Sequence, residues 1–462
     1  MFGNNKANEL LSRIREGRTM TREEKLKLIV QLSIPSILAQ MSSTIMFFID
    51  AAMVGSLGAR QSASIGLVET STWLFGGLMS AASMGFSVQV AHCIGANDFE
   101  RARKVLRQGI VCALIFSTVL MLVGVMVHSR LPYWLGGGSD IAPDASMYFL
   151  IFSFALPLLQ MNFLSGSMLK CSGNMKIPSI LNILMCVLDV VFNYFFIFVA
   201  RLGVAGAALG TFCAMLITAL LMTYSLVFRS RELSLVHHRG SFRLSSDCIG
   251  TALKIGAPMG LQQILMGGAQ IVSTIIVAPL GNMAIAANNF AITVESICYM
   301  PGFGIADAAT TLVGQGMGAG QRLLTRSFAR ISVALGMVVM TVMAVLMYVF
   351  APELMALMSP VEAIRELGVS ALRIEAFAEP MFAAAIVSYG VFIGAGDTLK
   401  PAAMNLLSMW AVRLSLAAWL APQYGLRGVW IAMAAELTFR GTIFLIRLFR
   451  GSWADTAKIV RG

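Results

Sequence analysis

Nine ionisable side chains within stretches that are otherwise apolar are candidates for chemistry: Asp50, Glu69, Asp189, Glu295, Asp307, Glu375, Glu379, Arg413 and Glu436. A charge held inside a bilayer costs on the order of 3 kcal/mol and is retained mainly for function. Asp50 lies in IMFFIDAAMVGSLG directly behind five apolar residues, with no basic residue close in sequence. A carboxylate so placed can bind H⁺ or Na⁺ in one state and release it in another. Asp189 and Asn193 are four apart in LDVVFNYFFIF, one turn apart on one helix face. Set against Asp50, they would offer acidic and amide oxygens for Na⁺, or a carboxylate pair that shares a proton. The alternative is an interhelical hydrogen bond that joins two spans. Glu295 in VESICYMPGFG and Glu379 in FAEPMFAA each precede a proline, which bends a helix and opens room beside the carboxylate. An acidic, aromatic-lined cavity suits lipophilic cations. The competing role for Glu379, open equally to Glu375, is to neutralise Arg373. Glu69, Asp307, Arg413 and Glu436 receive no role: Asp307 falls toward a cytoplasmic end, and Arg413 is placed to pair with Glu436 or to snorkel.

The elements that carry these groups follow from composition. Hydrophobic residues make up 57% of the 462 and charged ones 12%, with a mean hydropathy of +0.78. That balance excludes a water-soluble domain of this length. A bilayer core needs about 20 apolar residues per helix, and runs of that length predict an all-α polytopic membrane protein with spans at 28–54, 63–91, 107–128, 145–168, 177–199, 204–228, 250–278, 284–313, 328–350, 367–392, 401–420 and 427–448. The net charge of +11 sits in short loops rather than along one soluble face, so no nucleic acid is expected as partner. With a cytoplasmic N-terminus, the inner segments hold most of the Lys and Arg. The outer loops hold little beyond Arg60, Arg130, Arg201, Arg365 and Arg427. Both termini are therefore expected inside, in a plasma (inner) membrane. The basic N-terminal segment has no cleavable-signal pattern. Seven scattered cysteines have no CxxC spacing and read as small apolar fillers.

A constant offset of 223 residues aligns the chain with itself. Pro35 meets Pro258, Gln40 meets Gln263, Gly58 meets Gly281, Arg103 meets Arg326, Gly173 meets Gly396, Pro178 meets Pro401 and Asn182 meets Asn405. An offset that holds from the first span of each half to the fifth implies duplication. The expected organisation is a cytoplasmic segment 1–27, an N-lobe 28–228, a linker 229–249, a C-lobe 250–450 and a tail 451–462. Two parallel six-helix lobes around a central cavity are a transporter arrangement. There is no GxxxxGK[ST], so no nucleotide cofactor is expected and the energy source must come from elsewhere; a carboxylate such as Asp50 is what H⁺ or Na⁺ coupling needs. His237 and His238 read as solvated linker residues, and no His, Cys or acidic set has catalytic spacing, so an enzyme is not expected.

The chain resembles the multidrug and toxic compound extrusion (MATE) family from about Leu28 to Arg450. The matching stretches are FFIDAAMVGSLG, GANDFERARK, CSGNMKIP, LDVVFNYFFIF, MPGFGIADAATTLVGQGMGAG and YGVFIGAGDTLKP. The resemblance implies a V-shaped antiporter that exports small organic cations and amphipathic drugs by alternating access. It places Asp50 at the family's first-span carboxylate, and Asp189 and Asn193 at fifth-span positions, though in swapped order. The seventh span, GAPMGLQQILMGGAQ, lacks the glutamate that some branches use for Na⁺. The ion site is therefore expected at Asp50, Asp189 and Asn193, with Glu295, Glu379 and Gln263 contacting substrate. The alternative within the same superfamily is a lipid-linked glycan flippase; its polyanionic cargo would want basic residues in the cavity, whereas acidic ones predominate in the spans. One covalently joined pair of lobes is expected to act as a monomer.

Overall fold

The computed structural model describes residues 2–236 and 238–455, with the side chains of residues 2–6 set aside. His237 of the linker and Lys458 and Arg461 of the tail lie outside the described residues. The described chain is helical, with no strand. Sixteen α-helices run in order: α1 (Phe2–Glu16), α2 (Arg22–Gly55), α3 (Ala59–Gly95), α4 (Phe99–Val127), the single turn α5 (Leu131–Trp134), α6 (Ala142–Cys171), α7 (Lys176–Tyr194), α8 (Gly203–Tyr224), α9 (Ser246–Val277), α10 (Asn282–Gly318), α11 (Arg322–Met358), α12 (Glu362–Ala376), α13 (Glu379–Gly394), α14 (Leu399–Leu407), α15 (Leu414–Tyr424) and α16 (Leu426–Arg450). Among the described residues, ten helical segments are long and apolar enough to cross a membrane, and α12 with α13 forms an eleventh crossing bent by 60°. The twelfth is α10, whose 37 residues are ample in length but include Asn288, Asn289, Glu295 and Asp307. The expected twelve-span, all-α architecture is the one observed.

The chain packs as two compact units, Ser42–Gly260 and Met1–Met41 with Leu261–Gly462. Both divisions fall inside helices, α2 and α9, a few residues beyond the repeat-related Pro35 and Pro258. The packing units thus differ from the lobes that the repeat and the linker delimit. Internally the two units reuse one scheme. In the first, α3 packs on α4 and α6, α6 on α4 and α8, and α7 on α8; in the second, α10 packs on α11 and α13, α13 on α11 and α16, and α15 on α16.

The repeat also shows where the halves diverge. Pro157, inside the continuous α6, corresponds to Pro380, in the first turn of α13. Proline lacks the N–H for the helical ladder and clashes with the preceding turn. In the C-terminal half that conflict is relieved by a break, so Glu375 closes α12 and Glu379 opens α13. Pro301, after Glu295, instead stays within the unbroken α10.

The basic N-terminal segment is a folded element. Leu11 and Ile14 of α1 are 1% and 0% exposed, and Gln321 donates to the Ile14 carbonyl. Arg13 pairs with Glu24 at 2.8 Å. Thr21 and Glu24 form a reciprocal capping box, Glu24 N to Thr21 Oγ1 at 3.2 Å and Thr21 N to Glu24 Oε2 at 2.9 Å, which starts α2. In the other unit the linker docks on α4: Arg107 donates to the His238 carbonyl at 2.6 Å and Arg103 to the Glu232 carbonyl at 3.2 Å.

Candidate functional site

In the unit Ser42–Gly260, Asp50 on α2 meets Asp189 and Asn193 on α7. The Asn193 amide donates to Asp50 Oδ1 and to Asp189 Oδ2, each at 3.1 Å. An NH₂ group carries two hydrogens, so one side chain makes both bonds at once. Asp189 is fully buried, Asn193 is 3% exposed and Asp50 is half-buried. Two acceptors remain without a hydrogen bond, Asp189 Oδ1 and Asn193 Oδ1. Buried acceptors are rarely left so, and these two add to two carboxylates in one place. Such an oxygen set can take a proton or a hard cation. Backbone geometry supports the cluster. Directly after Asn193, α7 widens into a π-helical segment, Phe195–Val199, a feature common at functional sites. Opposite, α8 presents Gly210. A Cβ there would lie 2.7 Å from the Asn193 backbone nitrogen and 2.9 Å from its Cα. Only glycine allows α8 this close to the residue that joins the two aspartates.

The other unit holds a second carboxylate cluster. Glu295 on α10, Glu375 on α12 and Glu379 on α13 bring carboxylate oxygens within 4.8 Å of one another. Glu375 and Glu379 are fully buried and Glu295 is 5% exposed. None of the four carboxylate oxygens of Glu375 and Glu379 has a hydrogen-bond partner. The Cys298 thiol lies beside Glu379, and the Arg413 guanidinium attracts Glu295 and Glu375 from a distance. The helix break makes this grouping: Glu379 starts a new helix, whose N-terminal dipole favours negative charge. Three buried carboxylates with so little positive charge around them fit a cationic ligand.

Arg373 neutralises neither Glu375 nor Glu379. Its Nε donates to the Tyr348 carbonyl at 3.4 Å and its guanidinium stacks 5.2 Å over the Tyr348 ring. Glu375 is thus the member of the cluster that sequence reasoning set aside. Its two-residue lead over the Phe377–Ala378 break was the available signal. Gln263 stays apart: it is exposed on α9 with no hydrogen bond to the cluster, while its neighbour Gln262 accepts from the Tyr389 hydroxyl at 2.9 Å.

The remaining intramembrane charges have structural partners. Ser36 donates to Asp307 at 2.6 Å, and Trp73 Nε1 to Glu69 at 3.4 Å. Glu436 is paired with Arg440, one turn on along α16, at 2.6 Å and accepts from Ser408 as well. Arg413 instead points to the Met433 sulfur. Arg440, ten residues before the end of α16, was not among the sequence candidates; its four-residue spacing from Glu436 was the available signal.

Comparison with known proteins agrees with this architecture. Residues 35–195 and 258–419 match the family model described as MatE. A Probable multidrug resistance protein NorM of Thermotoga maritima is 24% identical over 441 residues, covering 94% of each chain. One from Pseudomonas aeruginosa is 28% identical over 434 residues, covering 89% of this chain and 87% of the relative. Among solved structures, a MOP superfamily transporter from Pyrococcus furiosus, described as having a reversed binding-pocket polarity that suggests a different function, superposes with a TM-score of 0.88 at 21% identity over 96% of this chain and 98% of that one. That likeness speaks to the fold. The family match covers most of the chain and both halves of its repeat, so the chain belongs to the MATE (MatE) family.

Proposed function

We propose that the protein is a secondary active multidrug efflux transporter that exchanges H⁺ or Na⁺ for organic cations and amphipathic drugs by alternating access. The observation that carries this is the Asp50–Asn193–Asp189 cluster, with two carboxylates on one amide and two buried oxygens left over. The names of the NorM relatives support the class of cargo. The coupling ion, as substrate of this site, sits against the free oxygens and offsets the carboxylate charge. When it leaves, the Asn193 amide steadies the carboxylates, so binding and release differ by hydrogen bonds already in place. The Glu295–Glu375–Glu379 cluster receives the cationic part of the drug. Exposed aromatic surface nearby, such as Phe303 at 41% on the same helix as Glu295, suits its apolar part. The chain works as a monomer in the plasma membrane with both termini in the cytoplasm. Buried acidic groups are a poor match for a polyanionic lipid-linked glycan.

The test is ethidium efflux from proteoliposomes under an imposed pH gradient and then an imposed Na⁺ gradient, comparing wild type with Asp50→Asn. Efflux that follows one gradient and vanishes in the variant supports the proposal and names the ion. Well-folded protein with no efflux under either gradient shifts the function to the glycan-flippase alternative.

A further inference from the structure

Two of the few arginines that the sequence places on the side opposite the termini, Arg365 and Arg427, converge with Arg373 in one cavity of about 850 Å³. All three belong to the unit Met1–Met41 with Leu261–Gly462. Arg365 and Arg373 stand two turns apart on α12, about 12 Å along its axis, and Arg427 opens α16. The opposite face of α12 buries Gly368, Ala371, Leu372 and Glu375 in the core, so the cavity lies on the helix's outward side.

None of the three guanidiniums is in an ion pair among the described residues. Arg365 Nη2 donates to the Pro360 carbonyl at 3.2 Å, while its Nε is buried with no partner. Arg373 has the Tyr348 carbonyl and ring. Arg427 is exposed. Glu362 and Glu366 line the same cavity, yet neither approaches an arginine within ion-pairing distance. Excess basic charge on this side runs against the usual distribution of Lys and Arg. Beside the arginines the lining is apolar: Phe377, 78% exposed, packs edge-on to Tyr348 at 5.8 Å. The adjoining face of α11 exposes Val345, Val349 and Phe350.

We propose that this cavity is a binding site for an anionic glycerophospholipid of the leaflet opposite the termini, with its phosphate on Arg365, Arg373 and Arg427 and its chains along α11. The shared chemistry is a phosphate recognised by guanidinium forks. A lipid is favoured over free phosphate because the cavity joins these charges to exposed apolar surface, Phe377 and the adjoining face of α11. Occupancy would also brace α12, which ends in Glu375.

Native mass spectrometry of the detergent-purified protein titrated with phosphatidylglycerol, phosphatidylcholine or inorganic phosphate tests this. Wild type is expected to retain phosphatidylglycerol over phosphatidylcholine, and Arg365→Gln/Arg373→Gln/Arg427→Gln to bind it about tenfold more weakly or less, as loss of charged hydrogen bonds implies. Arg427→Gln alone touches an exposed side chain and keeps the test valid if the triple variant fails to fold; it is expected to weaken retention, and Arg427→Lys to restore part of it. Equal retention of phosphatidylglycerol by wild type and Arg427→Gln overturns the site. Binding of inorganic phosphate that competes with the lipid at equal concentration overturns the lipid and leaves a soluble-anion site.

Discussion

Gly210→Ala tests whether helix packing sets the ion site. The added methyl would lie 2.7 Å from the Asn193 nitrogen and 2.9 Å from its Cα, and relief to an ordinary 3.4 Å contact requires about 0.7 Å of separation between α7 and α8. The methyl also meets the Asn193 side-chain oxygen, closest of all; a rotamer change can move that oxygen, but it cannot relieve the backbone contacts. Asp189 and Asn193 travel together on α7, so helix separation by itself does not stretch their mutual bond. Asp50 is on α2, and its 3.1 Å bond from Asn193 stretches beyond hydrogen-bonding range. A hydrogen bond to a charged group contributes about 1.5–3 kcal/mol, which is about 10- to 150-fold in an equilibrium constant. The bond stabilises the ion-free carboxylate. Its loss therefore favours the ion-loaded form: the half-saturating concentration of the coupling ion falls by that factor, and efflux slows because release is impeded. The assay is ethidium efflux from proteoliposomes against coupling-ion concentration, with size-exclusion profiles to confirm folded protein. A folded Gly210→Ala protein with wild-type ion dependence, or a shift to higher concentration, refutes the reasoning.

Other outcomes follow from the same geometry. Asp189→Asn abolishes gradient-driven efflux, and the double variant with Asp50→Asn is no worse than either alone, because the two carboxylates act through one amide; additive partial losses would separate them. Glu375→Gln raises the half-saturating concentration of a lipophilic cation such as tetraphenylphosphonium about tenfold, as Glu295→Gln does; a fall in thermal stability with unchanged affinity would make Glu375 structural. Arg440→Met strands the buried Glu436 carboxylate and lowers stability by about 3–5 kcal/mol, seen as a lower unfolding midpoint; adding Glu436→Leu recovers most of it, and an unaltered midpoint in the single variant contradicts the pairing. Ile14→Asp buries a charge where α1 docks and frees that helix, so trypsin cleaves at Arg13, Arg15 or Arg18 faster than in wild type; equal cleavage rates would show that α1 is not held by its apolar face.

Composition and local periodicity by themselves determined the twelve spans, the duplication and the pairing of Asp189 with Asn193. All three depend on short-range regularities: runs of about 20 apolar residues, a constant offset, and the 3.6-residue turn. Even Pro35 and Pro258, a few residues before the divisions between the packing units, were visible, since they align in the repeat. Tertiary structure decided what each buried charge meets. Asp50 has no acidic repeat counterpart, and Glu375 joins Glu295 and Glu379 only because Pro380 breaks a helix that Pro157 leaves whole. Arg373 turns to Tyr348 on α11 rather than to a carboxylate, whereas Glu436 and Arg440, four apart on α16, form a pair that the 3.6-residue turn already allows. Within a bilayer every helix face is apolar enough to meet lipid, so hydropathy carries little information on which face turns inward. That choice is made by close backbone approach at small residues such as Gly210 and by buried hydrogen bonds between helices. Both are properties of pairs of helices distant in sequence.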